Sequence, residues 1–404
     1  MKLGCVADDY TGATDLAGLL RRSGASVKLH FGLPQEASDG SADIEIIALK
    51  CRTEPVDIAV HDCSKAAHWL LAGGAERLYW KYCSTFDSTA QGNIGPVAEA
   101  LMAITGQTQA LYCPAFPENG RSVFMGHLFV ADQLLNESSM KDHPLTPMSD
   151  ANLARVLAPQ VKGSVAVWNR VDQKKGTPFP DTTHIIGDAV EFADLEFLIE
   201  HTPANVLLSG GSALAMPLPR HMSIDSVEGT VDPTPGSRAI VLSGSCSQMT
   251  QQQVAQYKTN HPSYQLHPEN LDDAAIQECI AWLQSLDSTE TPLVYATASP
   301  DVVKAAQSTL GVAEAGAIVE HAMATIAQTA FEMGIRRFVV AGGETSGAVT
   351  QALQVSEVMI GREICPGVPW VFSGSGTNLV GLALKSGNFG SPSFFDDALM
   401  LLGN

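Results

Sequence analysis

The sequence predicts an α/β fold of two domains, each a largely parallel sheet flanked by helices. Its 404 residues exceed one ordinary domain of ~100–200 residues and suit two. Apolar, β-rich runs alternate with stretches of 3.6-residue periodicity over nearly the whole length, the pattern of strand-helix-strand units. Residues 223–237 break that pattern with a polar stretch containing Pro233 and Pro235, which neither a helix interior nor a central strand accepts. The boundary therefore falls there, leaving domains over 1–222 and 238–404.

In the first domain, apolar runs predict strands over 3–7, 27–31, 44–49, 77–82, 110–113, 165–168 and 206–209. Helices are expected over 15–22, 58–71 and 96–104. The first is the clearest: Leu16, Leu19 and Leu20 share one face, and Gly24 sits where a left-handed residue would stop it. In the second domain, strands are expected over 239–242, 293–296, 338–341 and 382–384. Helices are expected over 248–257, 315–333 and 394–402.

Composition narrows the function. Hydrophobic residues make up 45% and charged residues 17%, enough apolar surface for folded cores rather than long disorder. Lys plus Arg number 24 against 43 Asp plus Glu, a net charge of −19 that repels nucleic-acid phosphates and anionic lipid surfaces. No apolar run approaches the ~18–20 residues of a membrane span, and Met1-Lys2-Leu3-Gly4 runs straight into a strand, so a cytoplasmic protein is expected. The eight cysteines are scattered, with no Cys-x-x-Cys pair and no histidine at zinc spacing, and are expected as reduced, mostly buried thiols. A homo-oligomer is left open.

Three clusters follow predicted strands, where ligands sit in open α/β sheets. The first, Ala-Asp-Asp-Tyr-Thr-Gly-Ala-Thr-Asp over residues 7–15, sets Asp8 and Asp9 side by side. One aspartate would cap the following helix, and the doublet exceeds what a cap requires. A carboxylate there could accept the proton of a sugar hydroxyl attacking phosphorus. The second cluster, residues 81–89, offers Lys81, Ser84 and Asp87, with Asn93 nearby: a cation for a carboxylate and short polar groups for hydroxyls. Lys50, Arg52, Arg121 and His127 are further strand-end cations in a chain short of positive charge.

The third cluster, Ala-Gly-Gly-Glu-Thr-Ser-Gly-Ala-Val over residues 341–349, is a strand, a glycine pair and a helix start. Such a turn brings bare N–H groups and a positive dipole end to phosphate. It is neither a Walker A loop, since no Gly-Lys dipeptide occurs, nor a dinucleotide fingerprint. Residues 243–247 (Ser-Gly-Ser-Cys-Ser) and 385–390 (Lys-Ser-Gly-Asn-Phe-Gly) follow two more strands, and Lys385 is the cation expected near that crevice.

Together with Lys-Tyr-Cys-Ser-Thr-Phe-Asp-Ser-Thr, Cys-Pro-Ala-Phe-Pro-Glu-Asn-Gly-Arg, His-Leu-Phe-Val, His-Pro-Leu-Thr-Pro-Met and Pro-Gly-Val-Pro-Trp, these strings resemble the four-carbon acid sugar kinases over both domains. Within that family the first string is most similar to the branch that phosphorylates O4 of 3-oxo-tetronate. The segment 169–197 departs from the family pattern. The resemblance implies a sugar-acid-binding amino-terminal domain, a nucleotide-binding carboxyl-terminal domain, and a site in the cleft between them that takes a small sugar acid with ATP and Mg²⁺. Asp9 is then expected as the base, with Asp8 the second candidate or a ligand of Mg²⁺-bound water. Lys50, Arg52, Lys81 and Arg121 would meet the sugar acid's charge, and Ser84 and Asp87 its hydroxyls. The family's nucleotide contacts fall on Ser245, Gly342, Gly343, Glu344, Thr345, Ser346 and Gly387; the metal ligands are not assigned. Sister kinases acting on erythronate, threonate or 4-hydroxythreonate are the near alternative, and a non-catalytic sugar-acid-binding protein a remote one.

Overall fold

A computed structural model of the chain describes residues 1–142, 145–224, 232–298, 308 and 311–403. The chain divides into two compact units, Met1–Thr230 and Val231–Asn404. Residues 225–231 of the expected linker, and His143 and Pro144 of the His-Pro-Leu-Thr-Pro-Met string, lie outside the described residues.

The first unit opens with β1 (Leu3–Ala7), α1 (Tyr10–Arg22), β2 (Val27–Phe31), β3 (Ile44–Ala48), α2 (Val56–Ala72), β4 (Arg77–Lys81), α3 (Ile94–Thr105) and β5 (Gln109–Cys113). A small antiparallel sheet follows, of β6 (Arg121–Phe124), β7 (His127–Val130) and β8 (Gln133–Leu134). Then come α4 (Leu153–Leu157), β9 (Val165–Trp168), α5 (Arg170–Lys174), β10 (His184–Gly187), α6 (Phe192–His201), β11 (Val206–Gly210) and α7 (Leu218–His221).

The main sheet of this unit has the order β2-β3-β1-β4-β11-β5-β10-β9, and its pairings are parallel. Parallel strands are covered on both faces, which explains why Leu3–Ala7 and Ile44–Ala48 are buried throughout. In β1 to β4 the register aligns Ala7 with both Ala48 and Lys81, so the chain leaves all three strands at one edge.

The second unit contains β12 (Ala239–Ser243), α8 (Gln248–Tyr257), β13 (Ser263–Gln265), α9 (Asp273–Ser285), β14 (Leu293–Tyr295), α10 (Val312–Glu332), β15 (Arg337–Ala341) and α11 (Gly343–Ala352). It closes with β16 (Glu357–Cys365), β17 (Val368–Ser373), β18 (Val380–Lys385) and α12 (Phe394–Leu401). Strands β13-β14-β12-β15-β18 pair in parallel, and β17 and β16 extend the sheet antiparallel. Ser243, Ala341 and Lys385 are aligned by register, again bringing three strand ends together. Trp370, Phe372, Phe394 and Phe395 pack with Val241, Val339 and Tyr257 in its core.

The expected strands are found close to their expected positions, whereas β6, β7, β8, β10, β13, β16 and β17 were not expected, and α1 begins five residues before the expected 15–22. Asp9 caps it, accepting from the Gly12 N–H at 3.0 Å, and Thr11, Ala13 and Thr14 are buried by tertiary packing that the local sequence does not advertise. Five cysteines, Cys5, Cys51, Cys63, Cys113 and Cys279, are buried. Among the described residues no helix is long and apolar enough to cross a membrane.

Candidate active site

The ends of β1, β3 and β4 assemble one ion cluster from residues far apart in sequence. The loop after β3 runs beside Asp8: Leu49 N–H donates to Ala7 O at 2.8 Å and Cys51 N–H to Asp8 O at 3.1 Å. That delivers Arg52, whose Nε and Nη2 donate to the two oxygens of Asp8 at 2.7 and 2.9 Å. The same Nη2 reaches Asp9 Oδ1 at 2.8 Å, and Nη1 lies 3.5 Å from Asp87 Oδ2. Asn93, expected to face a ligand, instead secures this loop by donating to the carbonyls of Cys51 and Glu54 at 2.7 and 2.9 Å.

Arg52 is therefore paired with three aspartates. Burial pulls its pKa down, but Asp8 and Asp9 outweigh burial and keep it firmly protonated. Burial likewise pushes Asp8 up, beyond what Arg52 takes back, and its side chain is only 5% exposed. Asp9 goes the other way. Burial raises it, yet Arg52 and Lys81, with hydrogen bonds from the Thr11 hydroxyl (2.7 Å) and the Gly12 N–H, hold its carboxyl below the ordinary value. Its side chain is 24% exposed, so Asp9 is the more accessible member of the doublet.

Lys81 is buried, donating to Tyr82 O at 2.9 Å, and its amine sits against the first turn of α1. A Cβ on Gly12 would lie 2.3 Å from Asp9 Oδ1 and 2.8 Å from Lys81 Nζ, so only glycine lets both groups meet there. Asp87 is buried, accepts from the Thr85 hydroxyl at 2.6 Å, and follows Phe86 in the left-handed region, with φ of 65° and 31° for the two residues. Two consecutive non-glycine residues held there are strained, a feature that concentrates at functional sites. Ser84 is half-buried in the same turn. Lys50 is exposed, with its ammonium 5.6 Å from the Tyr10 ring centre. Arg121 stands on β6, donating to Asn119 O, and among the described residues shares no hydrogen bond or ion pair with the cluster.

In the second unit, three turns converge. Gly342, at φ 125°, caps α11, leaving Gly343 and Glu344 exposed and Thr345 and Ser346 buried in the first turn. The turn after β12 is tied to the end of β15 by Gly244 N–H and Ser245 N–H, which donate to Ala341 O at 3.0 and 3.2 Å. Gly342 N–H donates to Lys385 O at 2.9 Å. A Cβ on Gly387 would fall 2.6 Å from Ser245 Oγ, so this turn too is closed to larger residues. Ser346 Oγ is buried without a hydrogen-bond partner.

The residues expected to bind nucleotide are thus gathered at one sheet edge. Lys385 is the exception: it is fully buried beneath the turns rather than lining them. Thr11, Gly12, Thr85 and Thr250 were not singled out from sequence, although Thr250 follows Ser247 at capping-box spacing and its N–H donates to Ser247 Oγ at 3.3 Å.

The first unit thus carries a carboxylate-and-cation cluster at one sheet edge, and the second a glycine-lined helix start at another. Residues 3–218 match the family model for a sugar-binding N-terminal domain, and residues 240–395 that for a nucleotide-binding C-terminal domain. The chain is similar to the 3-oxo-tetronate kinase of Burkholderia multivorans, with 45% identity over 425 residues covering 99% of this chain and 97% of that protein. It is also similar to the 3-oxo-tetronate kinase of Haemophilus influenzae, with 41% identity covering 98% of both. Among solved structures, a Salmonella typhimurium LT2 protein provisionally called a tRNA synthase superposes at a TM-score of 0.86 with 39% identity, covering 99% of each chain. A Haemophilus influenzae protein superposes at 0.77 with 39% identity, covering 99% of this chain and 100% of its own. The chain belongs to the four-carbon acid sugar kinase family.

Proposed function

We propose that this protein is an ATP-dependent kinase that phosphorylates the 4-hydroxyl of 3-oxo-tetronate. The observation that carries the reading is the pairing of an aspartate cluster with a glycine-lined helix start in a chain whose near-full-length relatives are 3-oxo-tetronate kinases. On this reading residues 1–222 bind the sugar acid, residues 238–404 bind ATP, and the protein works in the cytoplasm, where ATP is supplied. The net charge of −19 argues against a tRNA partner.

Asp9 is the base. Phosphoryl transfer has a loose transition state in which the hydroxyl must be aimed early and loses its proton late, so a carboxylate of low pKa suffices to orient it. Asp9 Oδ2 accepts only the Thr11 hydroxyl among the hydrogen bonds described and retains a lone pair for O4. Asp8, with both oxygens on Arg52, is the second candidate, and its first task is to hold Arg52. Among the described residues the three aspartates are paired with Arg52, and Lys81 adds its charge beside Asp8 and Asp9, so these two cations are occupied inside the protein. The exposed Lys50 is left to meet the sugar-acid carboxylate, with Ser84 and Asp87 for its hydroxyls.

The N–H groups of Gly343, Glu344, Thr345 and Gly387 and the Ser245 hydroxyl hold the ATP phosphates and stabilise charge on the transferred group, while Gly342 and Ser346, whose N–H groups donate to Lys385 O and Gly342 O, shape the turn. Among the described residues no three His, Cys, Asp or Glu side chains gather as a metal site. Glu344, an exposed carboxylate in the first turn of α11, would hold Mg²⁺ beside the phosphates. When bound it neutralises phosphate charge.

The test is a coupled ADP-release assay over tetronates and 3-oxo-tetronates of both configurations. Release confined to a 3-oxo acid supports the reading. Preference for erythronate, threonate or 4-hydroxythreonate moves the protein to a sister activity, and no release with any acid refutes a kinase.

A further inference from the structure

We infer that Lys385 is a positioning residue of the phosphate site, fixing Gly387 from below and acting on ATP through that glycine's turn. The inference rests on the assignment of ATP to the second unit.

Lys385 ends β18 with no exposed surface, so its side chain cannot touch a ligand directly. Its ammonium donates to Gly387 O and to Thr250 Oγ1, both at 3.0 Å. The same carbonyl accepts from Ser247 Oγ at 2.6 Å and from Thr250 Oγ1 at 2.7 Å. The two lone pairs of this oxygen take two strong hydrogen bonds at a time, so the Gly387 carbonyl stays anchored whichever two of these three neighbours donate. The peptide unit is planar and trans, so holding this carbonyl toward Lys385 turns the Asn388 N–H the opposite way, away from the buried amine. That is the direction a phosphate-binding turn requires. The packing of Gly387 on Ser245 shows how little slack the turn has.

The choice of lysine is itself informative. An apolar side chain would fill a dry site with less cost, and among the described residues no carboxylate pairs with this amine. Its surroundings are the Thr250 hydroxyl of α8, the Phe394 ring of α12 at 5.9 Å from the amine, the Gly387 carbonyl and, more distantly, the Cys365 thiol of β16. Burial brings its pKa down to about 7, with Cys365 pulling slightly the other way. Phosphate groups on the far side of Gly387 supply the missing negative charge, so bound ATP favours the ammonium form. Below about pH 7 the free protein already carries that charge; above it the charge is lost and must be regained on binding.

The experiment compares wild type with Lys385→Met, which keeps the length of the stem, and with Thr250→Val, which keeps the charge and removes the relaying hydroxyl. KM for ATP, KM for the sugar acid and kcat are measured from pH 7 to 9, with calorimetric titration of ADP alongside. Wild type is expected to show KM for ATP rising with pH. Lys385→Met should raise KM for ATP by about tenfold or more, abolish that rise, and leave KM for the sugar acid unchanged. Thr250→Val should weaken ATP less and keep the pH dependence, and it carries the test if the lysine variant does not fold. A Lys385→Met enzyme with wild-type KM for ATP, or one that keeps the pH dependence, overturns the inference alone. Failure of wild type to bind ADP overturns it together with the assignment of ATP to this unit.

Discussion

Replacing Arg52 with Met removes the one guanidinium that joins Asp8, Asp9 and Asp87. Asp8 and Asp87 are 4% and 7% exposed, so the loss strands carboxylates that water reaches poorly. Breaking a buried pair by deleting one partner costs ~3–5 kcal/mol. The Arg52 side chain is 23% exposed, which places the expected loss at the lower end, about 3 kcal/mol. For a unit of this size that is a fall of roughly 6–12 °C in Tm. Calorimetric melting of wild type and variant from about pH 5 to 8 reads it. Asp9, held below its ordinary pKa, contributes stability that is present above the unfolded-state value and lost as pH falls through the folded one. Asp8, raised by burial, is destabilising when ionised and is relieved by acid. Without Arg52 both carboxyls move up, so the gap between variant and wild type should narrow toward pH 5. A variant within about 1 kcal/mol of wild type at pH 7, with no narrowing in acid, would refute the view that Arg52 is committed to the aspartates.

Other expectations can be checked on the same protein. Asp9→Asn keeps a good helix cap, so ATP binding should persist while kcat falls about a hundredfold or more; near-normal turnover would transfer the role of base to another group. Because Asp9 is held low, kcat/KM for the sugar acid should show no acid limb above about pH 5, and a limb near neutrality would contradict that assignment. Gly387→Ala places a Cβ 2.6 Å from Ser245 Oγ and should raise KM for ATP roughly tenfold, with KM for the sugar acid unchanged in steady-state kinetics.

Much of the fold was legible because parallel strands covered on both faces are uninterrupted apolar runs, as in β1, β12 and β15. The antiparallel β16 and β17 were not. Pro369 discourages a strand reading, yet here it sits opposite Glu363 between two register shifts, where a bulge relieves the ladder of one N–H. The strand-end clusters were legible as sets, since small residues and carboxylates after an apolar run identify the ligand edge of a sheet. The partners of the cations were not. Arg52 turns to Asp8 because Asn93, some 40 residues on, fixes the path of its loop, and Lys385 lies under its turn because Thr250 and Gly387 provide acceptors there. These are tertiary facts that the spacing of charges along a chain does not encode.

On the proposed function, the phosphoryl group of ATP passes to O4 of 3-oxo-tetronate. Phosphorus and carbon NMR of the product made from ATP and 3-oxo-tetronate tests it most directly. The expected product is a phosphate monoester whose phosphorus couples to the terminal carbon C4, formed in step with ADP. An ester at another oxygen, or ADP accompanied only by inorganic phosphate, would contradict it.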